Sequence, residues 1–189
     1  MPDGVLGRAL AQGDAWALAE TWRRFTPMVL KMAERTLGSP SEADDVCQDV
    51  FCYLFRKAKT LREPESLRSF VYSFAIRELK YQLRRRKLRA WLSFHQPADL
   101  ADLRSHSLNL ESRDLLRKCH AILDRLSPRH RLIFVLRRVE SMTVEEIAAT
   151  MNLSVSTVKR SMAHASGRLS RWIQADPELA DLLHPERVK

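Results

Sequence analysis

The chain has 189 residues, few prolines and glycines, and a basic excess that sets its formal net charge at +9 and its pI at about 9.9. That length accommodates one large or two small domains, and the Leu/Ala/Arg-rich composition favours helix throughout. The charge draws the protein to polyanions, nucleic acid first and a membrane surface second, and no run reaches the ~18 apolar residues that a membrane span requires.

Residues 1–15 lack a cationic start followed by an apolar core, so no secretory signal is expected and the chain is read as cytoplasmic. Cys47, Cys52 and Cys119 form no CxxC pair and accompany no His cluster, so no metal site is expected. Reduced, mostly buried thiols are the expectation.

From Asp14 to Leu37 the spacing of Leu18, Trp22, Phe25, Val29, Met32 and Ala33 predicts one helix, or two split at Pro27. Gly38 ends that pattern. Ser39 is then a cap, Pro40 takes the first helical position and Glu42 completes a capping box. The helix that follows, to about Lys57, buries Val46, Val50, Phe51, Leu54 and Phe55. Asp45, Gln48, Asp49 and Cys52 share its opposite side. An acidic patch on a basic protein suits a cationic protein surface better than DNA. A favourable charge at a helix N-terminus is the plainer alternative, which fits Asp44 and Asp45 but fits Asp49 poorly.

The loop Lys59 to Ser66 leads to a long helix over Leu67 to Leu88, with Phe70, Val71, Phe74, Ala75, Leu79 and Leu83 inside. Tyr72, Arg77, Lys80, Tyr81 and Arg84 lie between or beside them. Aromatics interleaved with cations suit an unwinding nucleic acid, since rings stack on bases and cations hold phosphates. The run from Arg84 and Arg85 to Arg89 is a phosphate-binding candidate, with a solvated helix end as the alternative.

Arg89 to Asn109 breaks the periodicity and reads as an irregular connector, with at most a short helix near Asp99 to Arg104. Trp91, Leu92 and Phe94 are apolar within it and are expected to dock on a neighbour or partner. Helix resumes at about Leu110, with Leu115, Leu116, Cys119, Ile122, Leu123 and Leu126 as its stripe. Ser127-Pro128 opens another helix that places Leu132, Ile133, Val135 and Leu136 inside and Arg129, His130, Arg131, Arg137 and Arg138 outside.

Thr143 to Met162 reads as a helix-turn-helix. Thr143 and Glu146 make a capping box, and Val144, Ile147, Ala148 and Met151 make an apolar stripe. Asn152 stands at the turn, where a positive φ is needed, and Ser154 caps the second helix. Val155, Val158 and Met162 face inward, which leaves Ser156, Thr157, Lys159, Arg160 and Ala163 as a short polar and cationic face able to meet phosphates and base edges. Ala165, Leu169 and Trp172 continue inside and Arg168 and Arg171 outside. An ordinary helical hairpin with solvated cations is the alternative.

Two separated blocks of the chain resemble one family. Leu126-Ser127-Pro128-Arg129-His130-Arg131, Thr143 to Ala148 and Ser154 to Lys159 resemble the fourth region of bacterial sigma factors. Asp44 to Phe51 and Leu67 to Ala75 resemble their second region. Two such blocks with a short connector resemble the extracytoplasmic-function (ECF) group of the sigma-70 family. The resemblance implies an all-α chain of two small helical domains: residues 1–88 like region 2, a linker over 89–109, a region 4-like helix-turn-helix domain over 110–175, and a tail over 176–189 without an assigned role.

It also implies a protein that binds core RNA polymerase and directs it to promoter DNA. Asp45, Gln48 and Asp49 match the polymerase-docking motif. Arg62 in the loop, with Arg77, Lys80, Tyr81, Arg84 and Arg85, would engage the minus-ten element, where a non-template base is captured. Ser156, Thr157, Lys159, Arg160 and Arg168 would read the minus-thirty-five element in the major groove. An anti-sigma factor is an implied partner. The chain departs from the pattern at Arg77, where members often carry Asn, and at Phe70, in place of a usual Trp. Glu140-Ser141-Met142 lacks a Gly often found before the helix-turn-helix, and Asn152 replaces the usual turn Gly.

Two other classes of protein fit the sequence less well. A helix-turn-helix regulator acting on duplex operator DNA without polymerase leaves the Asp45/Gln48/Asp49 side and the aromatic-basic helix unexplained. An enzyme would need a Gly-rich phosphate loop, metal spacing or a nucleophile–base pair, and the sequence favours none of these; no cofactor is expected.

Overall fold

The computed structural model describes residues 1–92, 110–177 and 179–180. Among these there is helix and no strand. They form two compact units, one built on four helices N-terminal to the connector and the other on four C-terminal to it. Phe94 and the short helix expected near Asp99 to Arg104 lie outside the described residues.

The first unit opens with α1 (Asp3–Gln12), a helix that the apolar spacing of the sequence does not announce. Leu6 and Leu10, one turn apart, are fully buried and hold it to the core. Gly13 ends it with a left-handed φ of 88°, its N–H donating to the carbonyls of Ala9 and Leu10. Next, α2 (Ala15–Leu37) runs without a break through Pro27. Pro27 and Arg23, whose carbonyl loses its donor there, both lie on the exposed side, so the carbonyl is not sealed in the core. Phe25, Val29, Met32 and Ala33 are buried as expected. Trp22 is 43% exposed, and it packs by its ring alone, with its centroid 4.7 Å from that of Phe51.

In α3 (Pro40–Arg56) the Ser39 hydroxyl caps the helix by accepting from the Glu42 N–H at 3.4 Å. The Glu42 carboxylate, expected to turn back to the cap, faces the fourth helix and pairs with Arg86 and, at 3.8 Å, with Arg89. Two 3₁₀ turns, Ala58–Thr60 and Pro64–Ser66, shape the following loop. Finally α4 (Leu67–Leu92) buries Leu67, Val71, Ala75, Ile76, Leu79 and Leu83. Phe70 and Phe74 are only half-buried, packed edge to face with centroids 4.8 Å apart. The helix continues four residues past Leu88, so Trp91 and Leu92 stand on its last turn, 69% and 63% exposed.

The second unit comprises α5 (Leu110–Asp124), α6 (Pro128–Arg138), α7 (Val144–Met151) and α8 (Val155–Gln174). Ile122, Leu126, Ala165 and Leu169 form one buried cluster, which Leu179 of the C-terminal segment joins. Leu132, Ile133, Val135, Leu136, Ile147 and Val158 are fully buried beside it. Ser127 caps α6 by accepting from the His130 N–H at 3.3 Å. Arg131, expected outside, is 1% exposed: its guanidinium reaches inward to Asp124 and approaches His120 Nδ1 at 3.3 Å. A buried cation of this kind persists because it is paired, and the partner seven residues upstream leaves no mark in helical periodicity.

The thiols are free, as expected, but only Cys47 is buried, and Cys52 and Cys119 are exposed. Burial pushes the Cys47 thiol up to about 11. No described helix is long and apolar enough to cross a membrane.

Candidate nucleic-acid interface

On α3 the buried residues Val46, Val50 and Leu54 fix the rotation of the helix, so Asp45, Gln48 and Asp49 are all exposed on the other side. They form one wall of a shallow groove, with Gln82, Arg85 and Arg89 of α4 as the other. The groove continues toward the N-terminal half of α4, where Asp49 and Tyr53 face Phe74, Arg77 and Tyr81. The acidic side expected to meet a protein and part of the set expected to meet DNA therefore border one another, with Asp49 common to both stretches.

Among the expected minus-ten residues, Arg77, Tyr81 and Arg85 line this groove. Arg77 donates to the Tyr53 hydroxyl at 2.9 Å and lies 4.6 Å from the centre of that ring. Tyr81 is 56% exposed, with its ring available for stacking. Lys80 and Arg84, one helical turn apart, share a side of α4 outside the groove. Arg62 is exposed on the loop. Glu78 lies among these residues, and burial, with Asp49 adding to it, holds its carboxyl above the usual range against the hydrogen bond from Gln82 at 3.0 Å.

In the second unit the capping box is formed in both directions. Glu146 N–H donates to Thr143 Oγ1 at 3.1 Å, and Thr143 N–H donates to Glu146 Oε2 at 2.7 Å. Asn152 takes a φ of 52° at the turn, and Ser141, before α7, takes a φ of 57°. Ser154 caps α8 by accepting from the Thr157 N–H at 3.2 Å. Its hydroxyl also lies 3.0 Å from that of Ser156 and 2.7 Å from that of Thr157. These contacts tie the side chains of the first turn of α8 to its cap.

Val158, Ser161, Ala165 and Leu169 are the buried stripe of α8. Ser156, Lys159, Arg160 and Ala163 are exposed opposite it, and Lys159 and Arg160 are in no ion pair among the described residues. Thr157 is half-buried. Arg168 sits about three turns further on and roughly 120° round from Ser156, on the flank of the buried stripe. There its guanidinium lies 4.7 Å from the Trp172 ring centre, with Arg125 also against that ring at 4.5 Å. The structure thus brings Ser156, Lys159 and Arg160 together and sets Arg168 apart.

Sequence reasoning missed two features near these residues. One is α1, whose packing against the loop that carries Arg62 follows from tertiary contact alone. The other is the pair His130–His164, with ring centroids 4.5 Å apart. Their positions on different helices could be read from the sequence, but their proximity could not.

Comparison with known proteins gives the class. Residues 21–89 match sigma-70 region 2, and residues 116–169 match sigma-70 region 4. The ferric citrate uptake sigma factor FecI of Escherichia coli is 30% identical over 134 residues, which span 69% of this chain and 76% of FecI. The RNA polymerase sigma factor CnrH of Cupriavidus metallidurans is 25% identical over 185 residues, 93% of this chain and 96% of CnrH. The solved structure of CnrH in complex with the cytosolic domain of CnrY resembles this fold with a TM-score of 0.64 at 23% identity, covering 92% of this chain and 98% of that one.

The chain belongs to the sigma-70 family of RNA polymerase sigma factors, in the ECF group. It is a sigma factor that directs promoter-specific transcription, and a helix-turn-helix regulator acting apart from polymerase is the disfavoured reading.

Proposed function

We propose that the two units divide the work of promoter recognition. The unit within residues 1–88 docks on core RNA polymerase through Asp45, Gln48 and Asp49. It engages the minus-ten element through Arg62, Arg77, Lys80, Tyr81, Arg84 and Arg85. The unit within residues 110–175 lays the start of α8 in the major groove of the minus-thirty-five element, with Ser156, Thr157, Lys159 and Arg160 at the DNA and Arg168 on the flank. The connector within residues 89–109 links the two, its first four residues lying on α4, and within the tail of residues 176–189 Leu179 packs into the core of the second unit. The protein acts in the cytoplasm and has no catalysis of its own; it positions the polymerase that has it. An anti-sigma protein is its restraining partner, by analogy with the sigma factor RpoE of Bartonella quintana, whose structure is a complex with the anti-sigma factor NepR (TM-score 0.57, 21% identity, 80% of this chain and 92% of that one).

The observation that carries this reading is the exposure of Asp45, Gln48 and Asp49 together on α3, with neither aspartate in an ion pair among the described residues. Carboxylates on a protein of net charge +9 that are left open to solvent are available to a cationic partner surface. The capped, cationic start of α8 supports the DNA assignment, since side chains there meet base edges and phosphates without ordering a new turn.

The test is run-off transcription by core polymerase with the purified chain on a pool of genomic fragments. A small set of transcripts that appears only with the chain, and shares two spaced elements upstream, is the expected result. Transcription indifferent to the chain would overturn the reading.

A further inference from the structure

The loop between α3 and α4 is anchored at both ends by leucines, Leu61 at 8% and Leu67 at 0% exposure. Between them Arg62 and Glu63 stand in solvent, and Pro64–Ser66 closes a 3₁₀ turn. A short exposed segment of this kind has few apolar contacts to hold it in one place. It is braced from outside by α1.

Gly4, Gly7 and Arg8 share one side of α1 by helical spacing, and that side lies against the loop. A Cβ on Gly7 would fall 2.4 Å from the Pro64 carbonyl oxygen and 2.9 Å from its Cα. The nearest atoms that a Cβ on Gly4 would meet are those of the Glu65 carboxylate, at 2.1 Å. Arg8 donates to Glu65 Oε1 at 3.2 Å. The helix itself is held to the core. Leu6 and Leu10 are fully buried, Asp3 pairs with Arg24 of α2 at 2.5 Å, and Arg24 donates to the Met1 carbonyl at 3.1 Å.

We propose that α1 is a positioning element for promoter reading, with Gly7 setting where the loop stands and the Arg8–Glu65 pair steadying it. This rests on the assignment of the loop to the minus-ten element. Arg62 is two residues from the backbone that Gly7 touches, so a shift of Pro64 is passed to it directly. The two glycines are not equivalent. A methyl at Gly4 meets the end of a flexible, exposed side chain that can swing away. A methyl at Gly7 meets backbone of a proline, which cannot, so the loop must move.

The experiment uses holoenzyme reconstituted with Gly7→Ala, Gly4→Ala, Arg8→Ala or Arg62→Ala chains, transcribing a promoter pool randomised at both elements. Gly7→Ala and Gly4→Ala exchange the same residues in one helix, Gly4 in its first turn and Gly7 in its interior. Discrimination at the minus-ten element is expected to fall about ten-fold in Gly7→Ala and about three-fold in both Arg8→Ala and Gly4→Ala, since a methyl at Gly4 displaces the Glu65 carboxylate from Arg8, as for any displaced contact group. Discrimination at the minus-thirty-five element stays at the wild-type level in all three. Unchanged minus-ten discrimination in Gly7→Ala, or equal losses in the two glycine variants, overturns the proposal. If Gly7→Ala does not fold by circular dichroism, Arg8→Ala and Glu65→Ala decide, since both residues are exposed; no loss in either overturns it. Arg62→Ala separates the two levels. No effect there defeats the minus-ten assignment, whereas a loss there with none in Gly7→Ala defeats the brace alone.

Discussion

Ser141 and Asn152 stand at either end of the segment that contains α7, and both hold a left-handed backbone, with φ of 57° and 52°. Asn accepts this conformation through local hydrogen bonding, and Ser accepts it less well. Ser141→Gly is expected to stabilise the second unit by about 0.5–1 kcal/mol, and Asn152→Gly by less than half of that. Urea unfolding measures both. A loss of stability in Ser141→Gly would contradict the backbone assignment.

The inward Arg131 depends on Asp124, whose side chain is 35% exposed against 1% for the arginine. Asp124→Ala keeps the guanidinium buried and withdraws its carboxylate, and is expected to destabilise by about 2–3 kcal/mol, below the range for a wholly buried pair. Arg131→Met removes the charge with its partner need and is expected to cost less. Equal losses from the two changes would mean that packing volume, not charge, governs the site.

Stability of the second unit is expected to depend on pH through His130. Burial holds its imidazole below the ordinary value, and His164, Arg129 and Arg168 add to the effect. The folded state therefore binds fewer protons than the unfolded state near that value, about 6.5, and stability falls as pH drops through it. The urea midpoint should be lower at about pH 5.5 than at about pH 7.5, and His130→Gln should flatten the difference. A midpoint that rises on acidification would contradict the sign.

On α8, Lys159→Ala is expected to weaken promoter binding and to reduce the slope of log affinity against log salt by about 1, the mark of one lost phosphate contact. Arg168→Ala should act differently. Its guanidinium packs on Trp172, so the change is expected to lower thermal stability and leave the salt slope nearly as it was. Identical salt slopes for the two variants would place Arg168 at the DNA with Lys159.

Much of this was legible in the sequence because it is local. Caps at Ser39, Ser127, Thr143 and Ser154, and the stripes of α2, α3 and α8, are set by residues within four positions of each other. What escaped depends on partners far along the chain. α1 carries Gly4 and Gly7, which weaken helix propensity, and its role appears only when Pro64 lies against them. Arg131 looked like a surface cation because its partner Asp124 belongs to another helix. Trp91 and Leu92 looked like linker because charge, not apolar spacing, dominates the end of α4. The candidate set on α4 read as one cluster, yet the rotation of the helix sends Arg85 toward the acids of α3 and leaves Arg84 on another side.

The central claim is that the acidic side of α3 fastens a DNA-reading chain to the polymerase. Binding of wild-type and Asp49→Lys chains to core enzyme, with duplex minus-thirty-five binding measured in parallel, tests it most directly. The expected result is a loss of about ten-fold or more in core affinity for Asp49→Lys, with duplex binding unchanged. Equal core affinity for the two chains, or a wild-type chain that holds duplex DNA tightly but ignores core enzyme, would contradict it.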